Sequence, residues 1–223
     1  MKKLTLTFLF AGLAFAQVAE KANEGYKTPE GRASVAKGLD GADREQRQRP
    51  RDIVEAMGLK PGDAVADVGT GTGFMLPYLS HAVGDRGQVF GEDIQTDFLD
   101  KAKTKAQLQH LANVKFVLGT DRDPKLPADT LEGVLILDVY HHFDYPEAML
   151  EHIRDSLLSD GKLVIVEFFK RRGAMGGTDR ALEHIRLDQD DLIKEVQENG
   201  FRLISKHDLV PASQYIAIFE KKK

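Results

Sequence analysis

The sequence predicts an α/β fold in which a doubly wound, mostly parallel sheet of about seven strands is covered by helices on both faces. Three observations carry this. Strand-length apolar runs alternate with helix-period stretches over residues 64–168, a pattern that calls for parallel strands joined by crossover helices. The first run leads straight into alternate glycines at Gly69, Gly71 and Gly73, the form of a strand–turn–helix loop that approaches a ligand closely. The chain then closes with two apolar-alternating runs, 201–206 and 215–220, joined by a turn containing Pro211, which read as an antiparallel pair. With 223 residues, 42% of them hydrophobic, the chain suffices for one sizeable core and gives no reason to divide it.

Residues 1–16 stand apart. Met1-Lys2-Lys3, an apolar run to Phe15 and the small-x-small end Ala14-Phe15-Ala16 form a secretory signal peptide pattern. The run is short for a membrane span. It predicts an exported, periplasmic or secreted protein with no stable span in its mature form, a cytoplasmic enzyme with an amphipathic start being the alternative. Residues 17–48 are polar and without periodicity and read as a loosely structured N-terminal arm, its covering of the site left open. The folded domain is expected over 49–223.

Within that domain Pro50 opens and Gly58 stops a helix over 50–57. Lys60-Pro61-Gly62-Asp63 is a turn before the strand at 64–68. Further strands are expected at 88–91, 114–118, 133–137 and 162–168, with helices at 74–83, 96–109 and 145–158. For the last of these Asp144 can cap, Pro146 suits the first turn and Glu147 completes a capping-box spacing. Asp188 and Gly200 bracket a final helix.

The formal net charge of −4 offers no general attraction to nucleic acid, which is not expected as a partner. The absence of cysteine removes disulfides, thiolate metal sites and cysteine nucleophiles.

The informative stretch is Val65-Ala66-Asp67-Val68-Gly69-Thr70-Gly71-Thr72-Gly73-Phe74. Phe74 stands where the dinucleotide fingerprint needs its third glycine, which disfavours a nicotinamide-dependent oxidoreductase. Asp67 would repel a pyrophosphate yet suits a ligand with an amino group. Glu92-Asp93 ends the next strand where a carboxylate meets ribose hydroxyls in such sheets, Asp93 being the better placed.

These residues resemble motif I and the following acidic motif of the class I S-adenosylmethionine-dependent methyltransferases, over about residues 51–219. Residues 113–119 resemble that family's third-strand motif, 135–143 the fourth, and 158–165 the turn and fifth strand. A closer likeness is to a bacterial small-molecule-type group with an Asp-Val-Tyr-His segment and a loop like that at 119–127. The resemblance implies a Rossmann-like sheet of seven strands, the last inserted antiparallel. It implies S-adenosylmethionine as cofactor, held by Asp67, Gly69, Gly71, Gly73, Asp93 and its neighbour Ile94, with Asp138 at the cofactor's amino end or the acceptor. Where the family carries an acidic residue against adenine this chain has Thr120 followed by Asp121, and the contact is left between them.

The reaction implied is methyl transfer to a small-molecule acceptor, with a non-catalytic S-adenosylmethionine-binding module as the alternative. A faint likeness to isoaspartyl repair enzymes stops at the approach to motif I. Methyl transfer is chiefly a matter of orientation and dry surroundings, and a base is needed only where the acceptor loses a proton. His141 and His142 follow the fourth strand at the ligand-binding edge and are the candidates, with Tyr140 as a catalytic or wall residue. A metal site from Asp138, His141, His142 and Asp144 is set aside, because adjacent histidines in an extended segment point apart. His81, His110, His152 and His207 read as structural or surface residues, and 171–177 as a solvated connection, closure over the acceptor being the alternative.

Overall fold

Side-chain alternation along the central strands divides the apolar core into two layers, because neighbouring residues face opposite sides of a sheet. In the computed structural model, which describes residues 17–177 and 179–222, Ala66, Val68, Val134, Ile136, Leu163 and Ile165 lie in one layer. Val65, Leu135, Leu137, Val164 and Val166 lie in the other. Strands buried on both faces must be apolar throughout, which is why these segments read as continuous runs.

In chain order the elements are α1 (Pro29–Leu39), α2 (Arg44–Gln48), α3 (Pro50–Met57), β1 (Ala64–Val68), α4 (Leu76–Val83), β2 (Gln88–Asp93), α5 (Thr96–Leu108), β3 (Val114–Leu118) and β4 (Leu131–Leu137). They continue with α6 (Pro146–Ser156), β5 (Leu157–Phe168), α7 (Arg180–His184), α8 (Gln189–Glu198), β6 (Phe201–Val210) and β7 (Gln214–Lys221). The seven strands form one sheet in the order β3-β2-β1-β4-β5-β7-β6. The first five run parallel, and β7 lies antiparallel between β5 and β6. Strand order reverses between β1 and β4, so a crevice opens outside their carboxyl ends, where ligands bind in open α/β sheets. The expected α/β fold is the one observed.

Several local expectations change. The strand β5 begins directly after α6 and absorbs the expected turn, with Leu131 opposite Leu157 ahead of a register shift. The capping box at α6 does not form: Tyr145 occupies the cap position without a side-chain bond. Asp144 is engaged elsewhere, accepting from the N–H of Ala19 at 3.3 Å and the amide of Asn23 at 3.2 Å. Those partners belong to the arm, which is not loosely structured. Thr28 caps α1 by accepting from Gly31 N at 3.1 Å, Arg32 pairs with Asp97 at 2.8 Å, and Thr72 donates to Asp40 at 2.6 Å. The arm lacked a readable period because α1 buries only Ala36 and is held by polar contacts with distant residues. The expected leader, residues 1–16, lies outside the described residues. Among the described residues no helix is long and apolar enough to cross a membrane.

Candidate functional site

The loop after β1 is built on backbone conformations that favour glycine. Gly69, Gly71 and Gly73 have φ of 70°, 56° and 83°. A Cβ on Gly69 would sit 2.5 Å from Val139 Cγ1. The N–H of Gly69 donates to Glu92 Oε2 at 3.2 Å, and that of Gly71 to Asp93 Oδ2 at 2.9 Å. The acidic end of β2 thus holds the glycine loop open toward the crevice. Gly73 does something else: a Cβ there would lie 3.0 Å from Ala102 and Leu76, so it admits close helix packing and does not line the crevice.

The crevice is a cavity of about 330 Å³, within the size range of small-molecule sites. Its wall includes Ile94, Phe98, Thr120 and Asp121 from the β2 and β3 side of the sheet, and Asp138, Val139, His142, Phe143 and Met149 from the segment after β4 and from α6. Both Thr120 and Asp121 face it, so the two positions left open by the sequence share one rim. The arm supplies Glu20, Asn23, Tyr26, Lys27, Leu39 and Arg44, none of which had a periodic signal to mark it. Arg44 is buried, its guanidinium 4.3 Å over the Phe74 ring, and it donates to Leu39 O at 2.9 Å. Asp67 is buried beneath the loop and accepts from the Thr70 hydroxyl at 2.6 Å, one step back from the wall.

Electrostatics distinguish this cavity. Among the described residues, Glu20, Glu92, Asp93, Asp121, Asp138 and Asp144 line it against the cations Lys27 and Arg44. Burial raises the carboxyls of Asp67 and Asp93 to about 6 and that of Glu92 well above its usual range. Asp138 rises to about 7 through burial and the nearby Glu167. It sits at φ 56° and accepts from the amides of Gln48 and Gln214, two partners the sequence did not single out. Glu92 Oε1 is buried and has no hydrogen-bond partner among the described residues. Carboxylates buried in this excess are matched by a ligand that brings positive charge and hydroxyl or amino donors.

The turn after β4 separates the three residues nominated from it. Tyr140 is a core residue: its ring packs on Phe143, its hydroxyl donates to Glu195 Oε1 at 2.7 Å, and it does not reach the cavity. A catalytic role for Tyr140 is therefore dropped. Tyr140→Phe is expected to leave S-adenosylmethionine binding unchanged and to lower stability by about 1 kcal/mol, the worth of one hydrogen bond, in a denaturant titration. His141 is buried behind the wall, with Nδ1 2.7 Å from Glu167 Oε2. His142 lines the cavity, with Nδ1 2.9 Å from Asn23 Oδ1. Burial, His141 and His184 hold the pKa of His142 well below its ordinary value, so it is neutral at neutral pH.

The expectation that the two rings point apart fails, because the segment is a 3-10 turn and their centroids lie 4.1 Å apart. His184 of α7, unremarked in the sequence, joins them. The loop at 171–177 does not reach the cavity. Arg171 stacks on Phe169 at 4.0 Å and Arg172 pairs with Asp179 at 2.9 Å.

The methyltransferase-domain family matches residues 66–165, from β1 through most of β5. The ubiquinone/menaquinone biosynthesis C-methyltransferase of Shewanella putrefaciens is 30% identical over 121 residues, 54% of this chain and 48% of that protein. That of Shewanella frigidimarina is 30% identical over 119 residues, covering 53% and 47%. The chain thus spans about half the length of the curated relatives it matches. A SAM-dependent methyltransferase from Aquifex aeolicus superposes with a TM-score of 0.76 at 26% identity, covering 83% of this chain and 96% of that one. The cyclase SpnF shares the fold at a TM-score of 0.66 and 15% identity, covering 78% and 81%.

S-adenosylmethionine fits the residues present: Asp93 and Glu92 suit ribose hydroxyls, Asp138 the cationic amino end, and Arg44 a carboxylate. Ile94 and Phe98 offer apolar cover for an adenine. By motif, fold and site, the chain is similar to the class I S-adenosylmethionine-dependent methyltransferases, and its residues 66–165 match the methyltransferase domain.

Proposed function

We propose that the protein transfers the methyl group of S-adenosylmethionine to a small, mostly apolar acceptor that carries a hydroxyl, of the chemical kind a quinol represents. The observation that carries this reading is the part of the cavity wall around His142. There His142 stands among Val139, Phe143, Met149 and Tyr26, with Nδ1 engaged by Asn23 and Nε2 3.5 Å from the Tyr26 hydroxyl. A neutral imidazole with its lone pair on Nε2 accepts a hydrogen bond from a hydroxyl and orients it. The apolar neighbours hold a flat ring and keep water out. The names of the Shewanella relatives, C-methyltransferases of quinone biosynthesis, support the same class of acceptor.

When bound, the cofactor supplies an activated methyl group for in-line displacement. The chain's own part is to hold the acceptor in line, exclude water through the arm, and receive the hydroxyl's hydrogen bond at His142 Nε2. The test is S-adenosylhomocysteine formation with hydroxylated aromatics, in wild type and His142→Ala. Product with wild type and a large loss in the variant is the expected result. Cofactor binding without product from any acceptor would favour the non-catalytic binding module, a fold-compatible outcome given that a cyclase shares this architecture.

Cofactor affinity should depend on pH. Asp67 and Asp93 are raised to about 6 in the cofactor-free protein by burial. A raised carboxyl stabilises the free fold below its unfolded value, near 4, and that contribution is lost as pH rises through about 6. A cationic ligand beside the ionised groups favours their charged form, so binding releases protons at low pH. Each group protonated should weaken binding about tenfold between pH 8 and pH 5. Calorimetry in two buffers of different ionisation enthalpy reads both effects, and a flat affinity across this range would remove these carboxylates from the cofactor's surroundings.

A further inference from the structure

Behind the His142 wall, three imidazoles from two distant segments converge. His141 and His142 come from the turn after β4 and His184 from the end of α7. One ring nitrogen from each lies within 4.8 Å of the other two. Ring centroids are 4.1 Å apart for His141–His142, 4.8 Å for His141–His184 and 5.3 Å for His142–His184.

The outer partners of the two adjacent rings say which nitrogen is free. His141 Nδ1 is 2.7 Å from the buried Glu167 carboxylate, and His142 Nδ1 is 2.9 Å from the side-chain oxygen of Asn23. Both partners accept hydrogen bonds, so each Nδ1 carries the proton and each Nε2 keeps its lone pair. Metal-binding histidines show this division of labour, with one nitrogen donating to a carboxylate or amide oxygen and the other left to the ion. The carboxylate also offsets the charge an ion would bring to this interior.

We propose that His141, His142 and His184 form a three-histidine site for a divalent transition-metal ion of the Zn²⁺ type, with its open coordination position facing the cavity. Bonds of roughly 2.0–2.1 Å place tetrahedral ligand nitrogens about 3.4 Å apart. From ring nitrogens that lie within 4.8 Å of one another, closing needs a movement of at most about 1.5 Å, within reach of His184, which is half-buried on a five-residue helix. Three imidazoles and no thiolate suit Zn²⁺, Co²⁺, Ni²⁺ or Cu²⁺ more than Mg²⁺ or Ca²⁺. Three protein ligands with a fourth position free is the arrangement of sites that bind an exchangeable oxygen ligand and lower its pKa. With the ion bound, the His142 Nε2 lone pair is given to it, and because His142 is shared with the cavity wall the acceptor's hydroxyl or other oxygen donor meets the open coordination position instead of the imidazole. The existence of the metal site does not depend on which acceptor is used.

The test uses the full chain without a histidine tag, stripped with chelator, then titrated with Co²⁺ and followed by its visible absorption. One equivalent bound with the intense bands of a tetrahedral nitrogen site is expected, displaced by Zn²⁺. His184→Ala should lose binding by at least about 100-fold, and Glu167→Gln or Asn23→Ala should weaken it about 10–100-fold through the outer partners. S-adenosylmethionine binding measured on the same samples reports a correctly folded cavity. Wild type that binds the cofactor but takes up no Co²⁺ or Zn²⁺ would overturn the proposal while leaving the methyltransferase reading intact. Equal metal affinity in wild type and His184→Ala would overturn it too.

Discussion

Gly69→Ala is expected to abolish S-adenosylmethionine binding and to destabilise the fold by about 2–5 kcal/mol. Two independent effects add at this position. The backbone sits at φ 70°, a conformation that costs an L-residue about 1–2 kcal/mol. The new Cβ would lie 2.5 Å from Val139 Cγ1 and 2.7 Å from Cγ2, forcing the packing of two loops apart at a further cost of about 1–3 kcal/mol. Any shift of Gly69 also breaks its N–H bond to Glu92 and moves the loop that lines the cavity. Thermal unfolding and calorimetric titration measure the two consequences separately. Adding Val139→Ala to the variant should recover the packing part and leave the backbone part, because the colliding methyls are gone and φ is unchanged. A Gly69→Ala protein that unfolds and binds as the wild type does would mean that the loop is not held as described.

Asp93→Ala should raise the dissociation constant for S-adenosylmethionine on the order of 100-fold, since a hydrogen bond to a charged group is worth about 1.5–3 kcal/mol. Asp93 does two things at once. Its oxygens accept from the N–H groups of Gly71 at 2.9 Å and Gln95 at 2.8 Å, which shapes the loop. Its carboxylate also faces the cavity, where it can meet ribose hydroxyls. Asp121→Ala on the exposed rim is the control, with an expected loss below about tenfold, because solvent screens an exposed carboxylate. Equal losses in both variants would mean that net charge, and not the position of Asp93, governs binding.

Much of this molecule is legible in its sequence. Alternating strand and helix patterns specify a parallel sheet because a strand buried on both faces must be apolar throughout, and the central strands are. The glycine-rich turn and the acidic end of β2 were readable because their roles depend on local backbone freedom and on residues adjacent in sequence. Asp93, Gly69, Gly71, Thr120 and Asp121 accordingly line one cavity. Gly73 shows the limit of that logic: its missing side chain makes room for Ala102 of α5, a neighbour that only packing reveals.

The tertiary structure alone decided what each residue of the turn after β4 does. Tyr140, His141 and His142 are consecutive, yet one enters the core against Glu195, one meets Glu167 of β5 and one faces the cavity. A 3-10 turn sends neighbouring side chains in directions that strand periodicity does not predict. It alone also recruited the arm, whose helices bury little apolar surface and so carry no pattern. What holds Asn23, Tyr26, Arg44 and Gln48 at the site is hydrogen bonding and stacking to residues far along the chain. Sequence periodicity records which surface must leave water, and so determined the sheet, its layers and the ligand edge. Polar side chains are placed by partners distant in sequence, and so the gathering of His184 with His141 and His142 became visible only when the chain was folded.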